Sequence, residues 1–205
     1  MGKFTVGIEK LLFSKIKMYQ YLFLDSTEKE LIDDVIKNYI KPNPILRSKK
    51  LFLKSNHKPV HDSFWNLSWQ DLILIRKAII NEDILELLKI VYEVSEKQFL
   101  KLEVFNVFSC YKWIVERLEV LKLAEEERLH SEMTNEEIEA GAEELQEYDY
   151  YNSLKAMCPD LLKHDDYLKL SYSIVFREMA HSKLTNDINR KFQENAARKN
   201  KRNRT

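Results

Sequence analysis

One long apolar pattern, between Ser95 and Glu127, constrains the fold of this chain more than any other stretch. Its main apolar residues are spaced alternately by four and three positions, at Leu100, Val104, Val107, Tyr111, Ile114, Leu118 and Leu121. Such spacing is typical of the contact face of a helix packed against other helices. Further apolar residues, among them Phe105 and Phe108, cover the rest of its first half, as in a helix covered on every side. We therefore predict a central helix over residues 95–127.

The scarcity of glycine supports an all-α fold. The 205 residues include only Gly2, Gly7 and Gly141, whereas glycine usually makes up about 7 % of a chain. Sheet-rich proteins use glycine in tight turns and bulges. We therefore predict an all-α, multi-helix bundle around the central helix. Residues 45–67 are the least helical part, and residues 45–54 within them fit either a short β-hairpin or an extended arm.

Apolar spacing and capping signals predict the remaining helices. Residues 4–24 have helical spacing, and the capping-box pattern of Thr27 with Glu30 begins a second helix that ends before Pro42. Ser68 with Asp71 and Ser95 with Gln98 form the same pattern farther along the chain. Two more helices are predicted over residues 165–181 and 184–198.

These signals divide the chain into segments, and no internal repeat at a fixed period is evident. The predicted segments are an N-terminal helical hairpin (1–41), a linker or extended arm (42–67), a main helical domain with an acidic arm at 125–149 (68–185), and a basic C-terminal helix with an extended tail (186–205).

The net charge of zero argues against a whole protein that binds nucleic acid or a membrane surface. The charge is nevertheless uneven, because residues 125–149 are strongly acidic and residues 190–204 are basic. No run approaches the roughly 18 apolar residues of a transmembrane helix. The N-terminal residues lack the apolar core of a signal peptide, and two cysteines make no disulfide framework. We expect a soluble chain of the cytosol that does not bind membranes.

The sequence contains no recognisable catalytic, nucleotide-binding or metal-binding motif. His57 and His61 have the spacing of two helical metal ligands, but Pro59 between them disfavours a helix. Cys158 and His164 resemble a nucleophile and its base only in composition, because Pro159 and a helix start explain the same residues. We predict no catalytic residue, no metal and no cofactor.

Two groups of residues are candidates for binding a partner. Trp65 and Trp69 are either a hydrophobic lid of the core or anchors for a partner, since tryptophan is enriched at interface hot spots. The second group is the basic tail, with Arg198, Lys199, Lys201, Arg202 and Arg204. The tail fits phosphate groups, an acidic surface such as the 125–149 arm of a neighbouring copy, or simply a solubilising terminus.

Parts of the chain resemble small helical assembly proteins of tailed bacteriophages. The resemblance lies in Leu67-Ser68-Trp69-Gln70-Asp71-Leu72-Ile73, followed by Asp83-Ile84-Leu85-Glu86-Leu87-Leu88-Lys89-Ile90-Val91-Tyr92. Residues 161–168, before a helix and a basic tail, are similar to the way such proteins end. The resemblance covers about half of the chain, it is closest to tail assembly chaperones and related virion proteins, and it carries no site residues.

The resemblance implies a non-enzymatic structural or assembly protein of a tailed phage particle. It would be either a neck or tail component or a tail assembly chaperone, found in the virion and, during assembly, in the host cytoplasm. Its expected partners are other phage structural proteins and further copies of itself, as an oligomer or ring. The alternative is a helical module that binds nucleic acid through its basic termini.

Overall fold

The computed structural model describes residues 15–50, 53–130, 135–148 and 150–202. Its α-helices in these ranges are α1 (Met18–Leu22), α2 (Ser26–Tyr39), α3 (Trp69–Ile80), α4 (Ile84–Tyr92), α5 (Glu96–Phe99), α6 (Val104–Leu129), α7 (Asn135–Glu139), α8 (Tyr150–Met157), α9 (His164–Leu168) and α10 (Tyr172–Arg202). Short 3-10 helices cover Phe64–Asn66, Ala142–Tyr148 and Leu161–Lys163. The predicted all-α class is confirmed.

A short antiparallel hairpin interrupts the helices. Strands β1 (Leu46–Lys50) and β2 (Leu53–His57) pair with Leu46 opposite His57 and Lys50 opposite Leu53. Of the two structures that residues 45–54 fit, the hairpin is therefore the one observed. Its second strand extends three residues beyond the predicted stretch, to His57.

The central helix begins later than predicted. Ser95 and Gln98 form the predicted capping box, but the helix they start ends at Phe99. The backbone of Glu103 then pairs with Lys17 in an isolated antiparallel bridge, where the Val104 amide donates to the Ile16 carbonyl over 2.9 Å. Because this amide is paired outside the helix, residues 95–127 cannot form one helix, and α6 starts at Val104.

The same bridge shortens the predicted N-terminal helix over residues 4–24. Lys17 is extended, and the Met18 amide donates to the Leu102 carbonyl over 2.9 Å, so α1 begins only at Met18. Residues 4–14 of that prediction lie outside the described residues. The next helix is capped by Asp25 and not by Thr27, because the Asp25 carboxylate accepts the Glu28 amide over 2.8 Å.

The chain forms two compact units. Unit 1 comprises Met1–Phe64 and Leu74–Glu119, and unit 2 comprises Trp65–Ile73 and Val120–Thr205. This division differs from the predicted segments, since most of the predicted linker (42–67) belongs to unit 1. There, Phe64 packs edge-on against Trp113 with ring centroids 5.6 Å apart, and the Asn43 amide donates to the Ser109 carbonyl over 3.1 Å.

Lys112 of α6 holds the C-terminal end of α2 in unit 1. Its ammonium donates to the carbonyls of Ile36, Lys37 and Ile40 over 2.6, 3.0 and 3.0 Å. The last carbonyls of a helix have no partner within the helix and carry partial negative charge. The half-buried Lys112 side chain therefore both caps α2 and fixes it to α6.

In unit 2, a second isolated bridge pairs Ser68 with Ser171. The Trp69 amide donates to the Leu170 carbonyl over 2.9 Å, and the Tyr172 amide donates to the Leu67 carbonyl over 2.8 Å. Helices α3 and α10 therefore both begin at this bridge, as α1 and α6 begin at the bridge of unit 1.

The two bridges belong to similar sequences, although no repeat was evident from the sequence. Residues 99–108 read FLKLEVFNVF and residues 167–176 read YLKLSYSIVF, with Leu-Lys-Leu and Val-Phe at matching positions. In both, a short helix leads through the bridge into a long one. The copies diverge after two turns, because the positions that match buried Cys110 and Trp113 hold Glu178 and His181, which are exposed.

The C-terminal part of the chain is more helical than predicted. The predicted helices over residues 165–181 and 184–198 are replaced by the short α9 and by α10, which is continuous from Tyr172 to Arg202. No glycine or proline lies in that range, so nothing in the sequence interrupts the hydrogen-bond ladder. The predicted extended tail is therefore wrong for residues 199–202.

Candidate functional site

The two tryptophans predicted to bind a partner both pack within unit 2. Trp69 is 3 % exposed, and its ring meets Tyr150 edge-on at 6.4 Å. Trp65 is half-buried, stacked on Tyr172 at 5.8 Å and edge-on to Phe176 at 5.0 Å. The partner-binding interpretation of Trp69 is therefore withdrawn, because its side chain has almost no surface left. Trp65 keeps some exposed surface but serves mainly to hold the start of α10.

The Cys158 and His164 side chains do not form a nucleophile and base. The Nε2–H of His164, which is 9 % exposed, donates to the backbone carbonyl of Cys158 over 2.8 Å. The Cys158 thiol donates to the Asp160 carbonyl, with 3.4 Å between Sγ and the oxygen. Both polar groups are thus used to close the turn around Pro159.

A second cysteine, Cys110, lies beside Tyr92 in the core of unit 1. Neither side chain is accessible, with exposures of 0 % and 3 %. Burial raises the pKa of the Cys110 thiol to about 11 and also raises the pKa of Tyr92. Because the thiolate is the reactive form of cysteine, a buried and protonated thiol is a packing group and not a nucleophile.

Within the part of the chain that the structure describes, the Tyr92 hydroxyl has no hydrogen bond of ordinary geometry, and it interacts only weakly with the neighbouring Cys110 thiol. A buried unsatisfied polar group costs about 1–3 kcal/mol. Tyr92→Phe is therefore expected to leave the free energy of unfolding unchanged or to raise it by up to about 1 kcal/mol, measured by urea unfolding. Tyr21→Phe is the control that should lose stability, since the Tyr21 hydroxyl donates to the Asp33 carboxylate over 2.6 Å. A clear loss in Tyr92→Phe would mean that the hydroxyl has a partner.

Burial of Cys110 also predicts a loss of stability at alkaline pH. Its pKa of about 11 in the folded chain lies above the ordinary value of 9.0, so unfolding releases a proton between these values. Stability is therefore complete below about pH 9 and falls as the pH rises toward 11. In urea titrations across this range, Cys110→Ala should give a shallower decline than the parent chain, whatever its stability at pH 7. An equal slope in both would contradict the assignment.

No metal site is apparent in the described residues. Strand β2 ends at His57, while His61 lies in the loop that follows, so the helical spacing considered from the sequence is not realised. Across the described ranges, no three His, Cys, Asp or Glu side chains are grouped as a metal ion would require.

Two open pockets, one in each unit, lack a convergent catalytic arrangement. In unit 1 a pocket of about 410 Å³ lies beside Trp113, with the Arg117 guanidinium 5.8 Å from the indole and Lys58 and Asp62 on its wall. In unit 2 a groove of about 530 Å³ lies between α8 and α10. Its charged side chains, Lys183 and Asp187, are already paired over 2.8 Å.

The feature of unit 2 that stands out is an exposed apolar stripe on α10. Leu184, Ile188 and Phe192 are four residues apart and are 59 %, 58 % and 74 % exposed. Met179, Lys183 and Asn186, which line the groove against α8, lie on the opposite side of the helix, about 140–180° away from Ile188 at 100° per residue. The stripe therefore faces away from the rest of its own unit.

Basic residues accompany this stripe. Lys191, Arg198 and Lys199 are exposed and lie within about 80° of Ile188 around the helix. Lys201 and Arg202 belong to α10, and Arg204 lies outside the described residues. The predicted basic group thus borders the stripe, whereas Trp65 lies at the other end of α10, about 40 Å away at 1.5 Å per residue. The two predicted groups do not form one site.

The sequence predicted a helix over residues 184–198 but no site on it. The available signal was their isolation: three large apolar side chains recur in a polar, basic segment without glycine or proline. Only the structure places them opposite the packed face.

Comparisons of the chain with protein-family models, with curated proteins and with solved structures found no match. In the part of the chain that the structure describes, no helix is both long and apolar enough to cross a membrane.

Proposed function

We propose that this chain is a non-enzymatic structural or assembly protein of a tailed phage particle, and that it acts by docking on other proteins through α10. The observation that carries this proposal is the exposed stripe of Leu184, Ile188 and Phe192. The phage assignment rests on the resemblance in residues 67–92, and the chain would be a neck or tail component or a tail assembly chaperone.

The second half of α10 is available for docking because its side chains are exposed. Every residue from Ile188 to Lys199 is exposed, and the segment from Ile188 to Arg202 is about 22 Å long at 1.5 Å per residue. Short helices are marginal in water without packing of an apolar face. Full burial of one such side chain contributes about 1.5–3 kcal/mol, so a partner that covers the stripe both gains affinity and stabilises this helix.

The test is genetic and structural. In the phage that carries the gene, its deletion is complemented with Ile188→Asp/Phe192→Asp or with the matched control Asn189→Asp/Gln193→Asp, whose parent side chains are exposed and polar. We expect the control to restore plaques and complete particles in electron micrographs, and the stripe variant to fail while remaining folded by circular dichroism. Normal particles without the gene, or flanking genes unrelated to portal, tail or tape-measure proteins, would contradict the proposal.

Nucleic-acid binding is the second candidate, and the exposed Lys191, Arg198 and Lys199 favour it. Phosphate contacts release counterions, so such binding weakens steeply with salt. Fluorescence anisotropy with labelled duplex DNA and RNA would then show binding that disappears at high salt and on deletion of residues 198–205. Absence of binding at low salt would remove this candidate.

A further inference from the structure

We infer that the stripe of α10 binds the acidic segment at residues 125–148 of a second copy of this chain. This inference rests on the proposed function, since it names the partner of the same docking surface. Each folded chain exposes both surfaces. The stripe of one copy would therefore contact the acidic segment of the other copy.

Charge decides against pairing of two α10 helices with each other. Residues 184–202 contain six Lys and Arg and two Asp and Glu. The apolar stripe is bordered by Lys191, Arg198 and Lys199, which would meet like charges in such a pair. The occupant of the stripe must therefore be acidic as well as apolar.

The acidic segment has both properties. Residues 125–148 contain ten glutamates and one arginine. Among its described side chains, Glu127, Glu139 and Glu144 are exposed. The same segment exposes Ile138 by 44 %, and Leu145 and Tyr148 by 56 % each. The acidic segment thus has three large apolar side chains among glutamates. It is complementary to the stripe of α10, which has three large apolar side chains beside lysine and arginine.

The last described part of this segment, residues 135–148, is also tied to the fold and is not merely acidic. The side-chain amide of Asn152 in α8 donates to the Leu145 carbonyl, and Gly141 makes the turn between α7 and the 3-10 helix with a φ of +80°. A preformed surface loses less conformational entropy on binding than a flexible one. Because each copy carries one stripe and one acidic segment, the contact can be exchanged reciprocally in a dimer or repeated from copy to copy in a ring.

A charge exchange tests this inference. The basic variant carries Lys191→Glu/Arg198→Glu/Lys199→Glu, and the acidic variant carries Glu127→Lys/Glu139→Lys/Glu144→Lys. A control with the same charge change as the basic variant carries Lys41→Glu/Lys97→Glu/Lys101→Glu, which alters three exposed lysines of unit 1. Molar mass is measured by size-exclusion chromatography with light scattering and by sedimentation at several concentrations, on the full chain at low salt.

We expect the parent chain and the control to associate, and each of the two variants alone to associate at least tenfold more weakly. Mixing the two variants, or combining both sets of substitutions in one chain, should restore association, because the opposite charges face each other again. Raising the salt concentration should weaken association in every case.

Other outcomes overturn the inference in distinguishable ways. A monomeric parent chain at all concentrations contradicts it while leaving docking on other phage proteins, and the complementation test, untouched. If the acidic variant alone associates as strongly as the parent chain, while the basic variant alone does not, the stripe binds a surface other than the acidic segment. If association survives both sets of charge reversals but is lost in Ile188→Asp/Phe192→Asp, the acidic segment is not the occupant.

Discussion

Replacing Trp69 by alanine is expected to lower the free energy of unfolding by about 3–5 kcal/mol, the usual cost of removing a large buried aromatic side chain. Trp69 is 3 % exposed and contacts Tyr150 of α8 edge-on at 6.4 Å. Its amide, the first of α3, donates to the Leu170 carbonyl beside the bridge of Ser68 and Ser171. A tryptophan that anchors a partner would show the opposite behaviour, with binding lost and stability kept. Unfolding in urea, followed by circular dichroism, distinguishes the two.

The matched control for this experiment lies in the same helix. Ile80 is the last residue of α3 and is 79 % exposed. Ile80→Ala should change the free energy of unfolding by no more than about 0.5 kcal/mol, as is usual at exposed positions. A similarly small effect of Trp69→Ala would refute the core position of this residue and revive its interpretation as a partner anchor.

Lys112→Met is expected to lower the free energy of unfolding by about 2–3 kcal/mol, because a hydrogen bond to a charged group contributes about 1.5–3 kcal/mol and the three bonds share one donor. Methionine keeps most of the apolar stem, so the loss reports mainly on the ammonium. The carbonyls of Ile36, Lys37 and Ile40 lose their common partner. Besides urea unfolding, amide hydrogen exchange should become faster in the last turns of α2.

Lys122→Met provides the control for Lys112→Met within the same helix. The Lys122 side chain is 62 % exposed and pairs with Glu126 over 3.7 Å. Exposed pairs four residues apart contribute about 0.3–0.5 kcal/mol, so little stability should be lost. Equal losses in both lysine variants, or an unchanged exchange rate in α2, would show that capping by Lys112 does not stabilise the fold.

Local signals in the sequence predicted the elements whose structure depends on nearby residues. The caps at Ser68 and Ser95 are confirmed, because a side-chain oxygen there accepts an amide only three residues away. Glu82 adopts a left-handed conformation at the end of α3, which places Asp83 at the start of α4 with its carboxylate on the Glu86 amide.

The sequence did not predict features in which residues far apart in the chain pair. The two isolated bridges join Lys17 to Glu103 and Ser68 to Ser171, and they decide where four helices begin. A bridge of this kind uses backbone groups, which every residue carries, so no particular side chain announces it. The two Leu-Lys-Leu sequences are too short to indicate a repeat by themselves, and only their position beside a bridge shows that they are equivalent.

The candidate surface on α10 also has a part that the sequence revealed and a part that it did not. The sequence did not reveal that its apolar side chains are exposed. The basic residues beside it were visible in the sequence because charge is a property of composition, and its apolar residues had helical spacing.

The sequence by itself determined that this chain is helical, that its apolar residues suffice for a core, and that its charge is separated between residues 125–149 and 190–204. Periodicity, capping and composition act over a few residues, and so they can be recognised without a fold. Only the tertiary structure decided which apolar side chains are covered. It buries Trp69 and leaves Leu184, Ile188 and Phe192 exposed, because burial depends on which distant elements pack on each face of a helix.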